Sequence, residues 1–406
     1  MNKYEVLKHY FGYENFRNNQ EEIIESLVNG IDTVAILATG GGKSICFQIP
    51  ALMATGLTIV VTPLISLMQN QVQELKERKI KAEYITGEMS YFEICEVIEK
   101  VKNNEVKLLY VSPERLENER YRAIFLTLNI SYIIVDEAHC ISVWGNDFRP
   151  SYQHIKHLIK GLSKRPTIGA FTATANKKVI DDIDKILELN DLSIFKSGFD
   201  RPNLFYGVYK PKNKMNFLLK QLLSYPNDLF LIYTVTKKEA TEVYLKLLNL
   251  NFKVGLYHGG LEPNVKEECQ KKFMNEEYKI VVATNAFGMG INKANIRHVI
   301  NYSLPLSLED LSQQSGRCSR DGEEGRCILL YSEDDIRICE YFIKQTKIED
   351  KELQKELIKD KYKQLKSVIN YATTKKCLHH VMTDYFGELS KNKCFMCSNC
   401  NKKNRL

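Results

Sequence analysis

Residues 33–44 read TVAILATGGGKS. An apolar, β-branched run stops at three consecutive glycines, and a lysine and a serine then open a helical pattern, ICFQIPALM. A strand buried on both faces needs such a run, as parallel sheets covered by helices require. Glycines 40, 41 and 42 have no Cβ, so backbone N–H groups can close around phosphate oxygens, and the following helix N-terminus adds a favourable dipole. Lys43 is placed to reach β/γ-phosphates and the Ser44 hydroxyl to ligate Mg²⁺. Thr39, Gly40, Gly41, Gly42, Lys43 and Ser44 are therefore candidate nucleotide-binding residues. Leu37 stands where the strict G-x-x-x-x-G-K-[ST] pattern has its first glycine.

The same strand grammar recurs along the first half, in LTIVVTP (57–63), VKLLYVSP (106–113), ISYIIVDEA (130–138) and TIGAFTAT (167–174). Amphipathic stretches such as Ser66 to Lys79 lie between them, which predicts βα repeats and an α/β fold. The pattern pauses at FKSGFDRPNLFYGVYKPKNKMN (195–216), where polar, Pro and Gly residues gather. It restarts with DLFLIYTV (228–235), FKVGLYH (252–258), YKIVVATNA (278–286), IRHVINYSLP (296–305) and RCILLYS (326–332). Two α/β domains meeting near residues 200–212 are expected. From 333 onward strand patterns stop, and a charged helical stretch leads into a cysteine cluster.

VDEAH (135–139) closes one of the apolar runs, placing its carboxylates at a strand's C-terminal end, where α/β sheets bind ligands. Asp136 suits an Mg²⁺ shell, and Glu137 suits the base that polarises the attacking water in phosphoanhydride hydrolysis. His139 is either a partner for another motif or a capped histidine. Just beyond lies the chain's only tryptophan, Trp144, followed by Asp147, Phe148 and Arg149, in a segment too polar to be core. In the second half QQSGRCSRDG (313–322) offers Arg317 and Arg320, which could neutralise a transferred phosphoryl group as arginine fingers do. Near the end Cys377, Cys394, Cys397 and Cys400 are spaced C-x16-C-x2-C-x2-C. Four thiolates can close a tetrahedral zinc site, with an iron–sulfur cluster or redox-active thiols as alternatives.

With 406 residues the chain exceeds what one core supports, so two or three domains are expected. No apolar run approaches the ~20 residues of a membrane span, and the start has no apolar signal segment, so neither membrane nor secretion is expected. An odd count of eleven cysteines points to a reducing cytosol rather than a disulfide framework. The net charge of +7 is uneven: residues 361–406 hold nine Lys and one Arg against Asp384 and Glu388. A basic end on a near-neutral body suggests a polyanion partner, with a solvated tail as the alternative.

In their order and density these segments resemble RecQ-family DNA helicases of helicase superfamily 2. FGYENFRNNQ (11–20) is similar to the family's adenine-recognition segment, with Gln20 reading the adenine edge and Arg17 nearby. ATGGGKSICFQIPAL, VTPLISLMQNQV, YVSPERL, DEAHCIS and FTATA resemble its motifs I, Ia, Ib, II and III. FDRPNLFY, YHGGL, IVVATNAFGMGINKANIRHVI and QQSGRCSRDG continue the series. The resemblance implies two tandem RecA-like parallel-sheet domains (1–203 and 204–335) followed by a small, mainly helical zinc-binding subdomain (336–406). It implies ATP and Mg²⁺ held between the two domains, zinc on the four cysteines, and 3′→5′ unwinding of DNA in recombination and repair. It also implies that Trp144, Phe148 and Arg149 form an aromatic-rich loop that senses single-stranded DNA and couples it to hydrolysis. A DNA-stimulated ATPase or annealing factor with little unwinding is the alternative. The expected form is a cytoplasmic monomer, nucleoid-associated if bacterial, acting on single-stranded, forked or 3′-tailed DNA. It is a short form without the winged-helix and HRDC domains of many relatives, or else a fragment. Asn146 stands where the family often has His, and Ser319 interrupts the usual G-R-A-G-R, so both depart from the pattern.

Overall fold

The computed structural model describes residues 1–17, 19–145, 147–287, 293–388 and 390–401. Asn146, residues 288–292 of the VVATNAFGMGIN motif and the basic residues beyond 401 lie outside the described residues. The chain divides into two compact units, Met1–Gly198 and Phe199–Leu406.

The first unit is built on β1 (Thr33–Leu37), β2 (Leu57–Val61), β3 (Ala82–Ile85), β4 (Leu108–Val111), β5 (Ile130–Asp136), β6 (Thr167–Thr172) and β7 (Ser193–Ser197). They form one seven-stranded sheet in the order β3-β4-β2-β5-β6-β1-β7, with every pairing parallel. β1, β2 and β4 are buried at every position, as near-continuous apolar runs require when helices cover both faces. The helix Ile65–Glu77 follows β2 and buries Met68, Val72 and Leu75, one stripe at helical spacing.

The second unit carries β8 (Leu204–Tyr209), β9 (Leu229–Tyr233), β10 (Val254–Tyr257), β11 (Ile280–Ala283), β12 (Ile296–Asn301) and β13 (Gly325–Leu330). Its six-stranded sheet, also parallel throughout, runs β10-β11-β9-β12-β13-β8. Beyond it come the helices Glu333–Lys344, Lys351–Thr373 and Leu378–Phe386. Leu365, Val368, Tyr371, Leu378 and Met382 of these helices share one core with Leu204, Leu229 and Val299 of the sheet.

Three strands fall where no strand is expected from the apolar runs: β3, β7 and β8. All three are sheet edges. β7 alternates half-buried with exposed residues before Ser197, and β3 is half-buried at Glu83 and Tyr84. At β3 and β7 the missing neighbour on one side leaves positions less covered, so neither carries a continuous apolar run. β8, by contrast, is buried from Leu204 to Gly207 and is masked by the Pro and Gly residues around it. The polar stretch 195–216 is therefore not one long junction. It contains the end of β7, the whole of β8 and the start of the helix Lys214–Ser224, leaving 198–203 between the sheets. Among the described residues no helix is long and apolar enough to cross a membrane.

Candidate functional site

Sheet order assembles the first cluster. β5, β6 and β1 are neighbours, with Asp136 beside Phe171 and Ile36 beside Thr172. The loops leaving β1 and β5 thus emerge at one edge about 10 Å apart, two strand spacings. A lysine side chain can cover that gap. Lys43 Nζ lies 3.0 Å from Glu137 Oε1 and 3.4 Å from Asp136 Oδ1. Burial opposes the ammonium charge, but Glu137 and Asp136 outweigh it and hold the Lys43 pKa above its ordinary value. Burial likewise pushes Asp136 up, against the pull of Lys43. Two carboxylates and one cation leave a net negative cluster that a divalent cation can balance.

The glycine loop has the conformation its composition suggests. Gly40 and Gly42 sit at φ +86° and +81°, a region open to glycine without strain. A Cβ on Gly42 would lie 2.3 Å from Gln20 Nε2, so a side chain there would have to displace the Gln20 amide. Gln20 is buried; its amide donates to the carbonyls of Gly41 and Gly42 at 3.3 Å and accepts from the Arg17 N–H at 2.8 Å. Gln20, which the resemblance assigns to adenine recognition, thus meets the glycine loop directly, whereas Arg17 is exposed. Ser44 is the second residue of the helix Lys43–Met53, and Thr39 enters the loop from β1.

Beyond Asp136 the backbone turns sharply. Glu137 has φ 50°, ψ 46°, a left-handed conformation that costs a non-glycine residue about 1 kcal/mol or more. Tyr152 Oη donates to the Asp136 carbonyl at 3.0 Å beneath this turn. His139 is buried, and burial lowers its pKa; its ring Nδ1 lies 2.9 Å from Thr172 Oγ1 and 3.4 Å from Glu137. It is the partner to another motif that the sequence leaves open, here the FTATA segment at the end of β6.

The aromatic segment then packs back on this turn. The Ser142 hydroxyl donates to the Asp182 carboxylate and accepts from the Trp144 N–H at 3.1 Å. Gly145 lies so close that a Cβ there would sit 2.1 Å from the His139 carbonyl oxygen. Arg149 donates to the Pro63 carbonyl at 2.8 Å and pairs with Asp147 at 3.1 Å. Trp144, Phe148 and Arg149 are all half-buried. Replacing Gly145 with alanine is expected to destabilise the first unit by about 1–3 kcal/mol, because backbone must move to admit the methyl. Thermal unfolding and a shift in Trp144 emission would read this; an unshifted emission with unchanged melting would count against the packing.

In the second unit Arg317 and Arg320 follow the helix Leu308–Ser315. Arg317 is 6% exposed and sits close enough to Tyr233 to oppose the rise that burial imposes on that phenol. Between the arginines Ser319, at the departure from the family pattern, adopts φ 43°. Its carbonyl accepts from Arg201 at 3.1 Å and Asn203 at 3.3 Å, and its hydroxyl accepts from Arg297 at 3.1 Å. A residue without glycine's freedom is thus held in a left-handed turn by surrounding donors.

The four cysteines converge. The sulfurs of Cys377, Cys394, Cys397 and Cys400 all lie within 4.8 Å of one another. Tetrahedral zinc with ~2.3 Å bonds needs sulfurs somewhat under 4 Å apart, so small adjustments close the site, and the all-thiol donor set suits that ion. Backbone N–H groups of Leu378, Met396 and Cys400 donate to Cys397, Cys394 and Cys397 at 3.5, 3.3 and 3.4 Å, which stabilises thiolates. His379 is turned elsewhere, toward the Leu204 carbonyl at 2.9 Å and Asp200 at 3.3 Å. The cysteine loop also completes the sheet edge. Tyr206 of β8 donates to the Met396 carbonyl at 3.1 Å and accepts from the Ser398 N–H at 2.9 Å.

The chain is similar to known helicases. Residues 17–183 match the DEAD/DEAH box helicase family, 213–322 the helicase conserved C-terminal domain, and 333–401 the RecQ zinc-binding family. The chain is 42% identical over 396 residues to the ATP-dependent DNA helicase RecQ of Bacillus subtilis, covering 97% of this chain and 66% of that protein. It is 36% identical over 396 residues to the RecQ helicase of Pasteurella multocida, covering 98% and 62%. The chain thus spans slightly under two thirds of the length of these relatives. S. cerevisiae Dbp5 bound to RNA and ADP BeF3 superimposes with a TM-score of 0.64 at 19% identity, covering 89% of this chain and 97% of Dbp5. The helicase MrfA bound to DNA and AMPPNP superimposes with 0.67 at 19% identity, covering 85% and 53%. At such identities these two speak for the fold alone, a pair of RecA-like sheets. Both helicase-core families, the zinc-binding family and the curated relatives lead to one assignment: the chain belongs to the RecQ family of helicases.

Proposed function

We propose that the chain is an ATP- and Mg²⁺-dependent DNA helicase that unwinds forked or 3′-tailed duplexes in the 3′→5′ direction, in recombination and repair. One observation carries the reading: Lys43, Asp136 and Glu137 meet where β1 and β5 end, and the same turn leads directly into the Trp144 segment. In this reading ATP phosphates lie in the Gly40–Gly42 loop, and Lys43 exchanges its carboxylate partners for phosphate oxygens. Ser44 and Asp136 would hold Mg²⁺, whose charge offsets that of the phosphates. Glu137, released from Lys43, orients the attacking water, while Arg317 and Arg320 neutralise the transferred phosphoryl group.

Trp144 and Phe148 are proposed to stack on unpaired bases, at ~1–3 kcal/mol per base. Movement of their loop is transmitted to Glu137 through Gly145 and His139, because Gly145 leaves no gap between loop and turn. Zinc on the four cysteines would supply a structural cross-link rather than chemistry. The basic groups Lys375, Lys376, Lys391 and Lys393 would contact DNA phosphates, with affinity falling steeply as salt rises.

The deciding experiment measures ATPase with single-stranded DNA and with RNA, and strand separation on 3′-tailed, 5′-tailed and forked duplexes. Unwinding of 3′-tailed and forked DNA alone is expected. Strong DNA-stimulated ATPase with no strand separation would instead favour a translocase or annealing factor. Trp144→Ala is expected to reduce the ratio of DNA-stimulated to DNA-free turnover at least about fivefold, the low end of one lost stacking contact. An unchanged ratio removes the loop from the coupling scheme.

A further inference from the structure

The indole of Trp144 is already covered. Lys178, the second residue of the helix Lys177–Leu187, places its Nζ 3.4 Å from the ring centroid. Its side chain is exposed, and its ammonium rests on the indole ring. One turn further along the same helix, Asp182 accepts from the Ser142 hydroxyl, which in turn accepts from the Trp144 N–H. The helix therefore holds the aromatic segment at two points. Its own start is tied to the hydrolytic turn. It follows β6, whose Thr172 meets His139, and Asn176 caps it by accepting from the Val179 N–H at 3.0 Å.

A cation over an aromatic face and a base stacked on that face exclude each other, since both need the same few ångströms above the ring. We propose that Lys178 is a removable cap on Trp144: without DNA its ammonium covers the indole, and an unpaired base must displace it before stacking. Lys178 is thus a positioning residue that sets how much single-stranded DNA is needed to engage the loop. This rests on the reading of the Trp144 segment as the DNA-sensing loop. A partly solvated cation–π contact corresponds to about a two- to fivefold change in an equilibrium.

Because Trp144 is the only tryptophan, its fluorescence reports this ring alone. Wild type, Lys178→Ala and Lys178→Arg would be compared by acrylamide quenching without DNA, and by ATPase titration with oligothymidylate at fixed salt. Alanine is expected to make the indole more accessible to acrylamide and to lower the half-saturating oligothymidylate about two- to fivefold. Arginine, which also caps aromatic faces, is expected to behave as wild type. Unaltered quenching in the DNA-free alanine variant, or a half-saturation that stays or rises, overturns the cap. Trp144→Ala in parallel separates the two ideas. If it leaves DNA stimulation intact, the loop reading itself fails, whereas loss of stimulation there with an unresponsive Lys178→Ala refutes the cap alone.

Discussion

Replacing Lys43 with alanine is expected to lower ATP turnover at least about a hundredfold, the scale of removing one preorganised charge donor from a transferring group. The physical reason is double. The glycine loop would lose the group proposed to reach the terminal phosphates, and the resting site loses the cation that lies against both carboxylates. Asp136 is 3% exposed, so an uncompensated pair there raises the pKa of both acids and costs stability, on the order of a few kcal/mol. The sign gives a second readout. A carboxyl whose folded pKa is raised contributes stability that is present below its unfolded pKa and lost as pH rises through the folded value. The melting deficit of Lys43→Ala relative to wild type should therefore be largest near neutral pH and shrink toward pH 4. DNA binding is expected to persist, since Lys43 is not in the aromatic segment. Turnover within about threefold of wild type would contradict the assignment of the loop.

Loss of the four-cysteine centre has the other large effect. Cys397→Ser, or extraction with a chelator, is expected to remove about one zinc per chain by elemental analysis and to unfold residues near 374–401. Structural zinc in small modules contributes on the order of 10–16 kcal/mol of apparent binding energy that is also folding energy. Cys397 is fully buried and takes two backbone N–H groups, so its loss disrupts more than one ligand. The consequence should spread to the second sheet. Tyr206 and Val208 of β8 bond to Met396 and Ser398, so the open edge of that sheet is completed by the cysteine loop. Hydrogen exchange at the amides of Tyr206 and Val208 should accelerate when the metal leaves, and an uncovered edge strand favours aggregation. Protected amides in a zinc-free, folded Cys397→Ser protein would show that the centre does not hold this edge.

The central strands were legible because their cause is local. A strand covered on both faces must be apolar along its length, and TVAIL, LTIVV and LLYV are buried at every position. The glycine loop, the DEAH carboxylates and the cysteine spacing were legible for the same reason, since each motif is contained in a few residues or in a ligand rhythm. β3 and β7 were not, because these partly covered edge strands are recognised by what lies beside them, and β8 was hidden among Pro and Gly residues. Neither Gly145 nor Lys178 carries any signal in its own neighbourhood. Their roles arise when a carbonyl six residues earlier and a ring 34 residues earlier, respectively, are brought against them.

Residue order alone pointed to two parallel-sheet units with a glycine loop, paired carboxylates at a strand end and four cysteines in a ligand-like spacing. Tertiary structure decided that Lys43 pairs with both acids, that Arg149 binds Pro63 and Asp147, that Lys178 covers Trp144, and that the cysteine loop closes the edge at β8. The division follows from range: burial and turn chemistry act over neighbouring residues, whereas these contacts depend on which distant segments the strand order sets side by side.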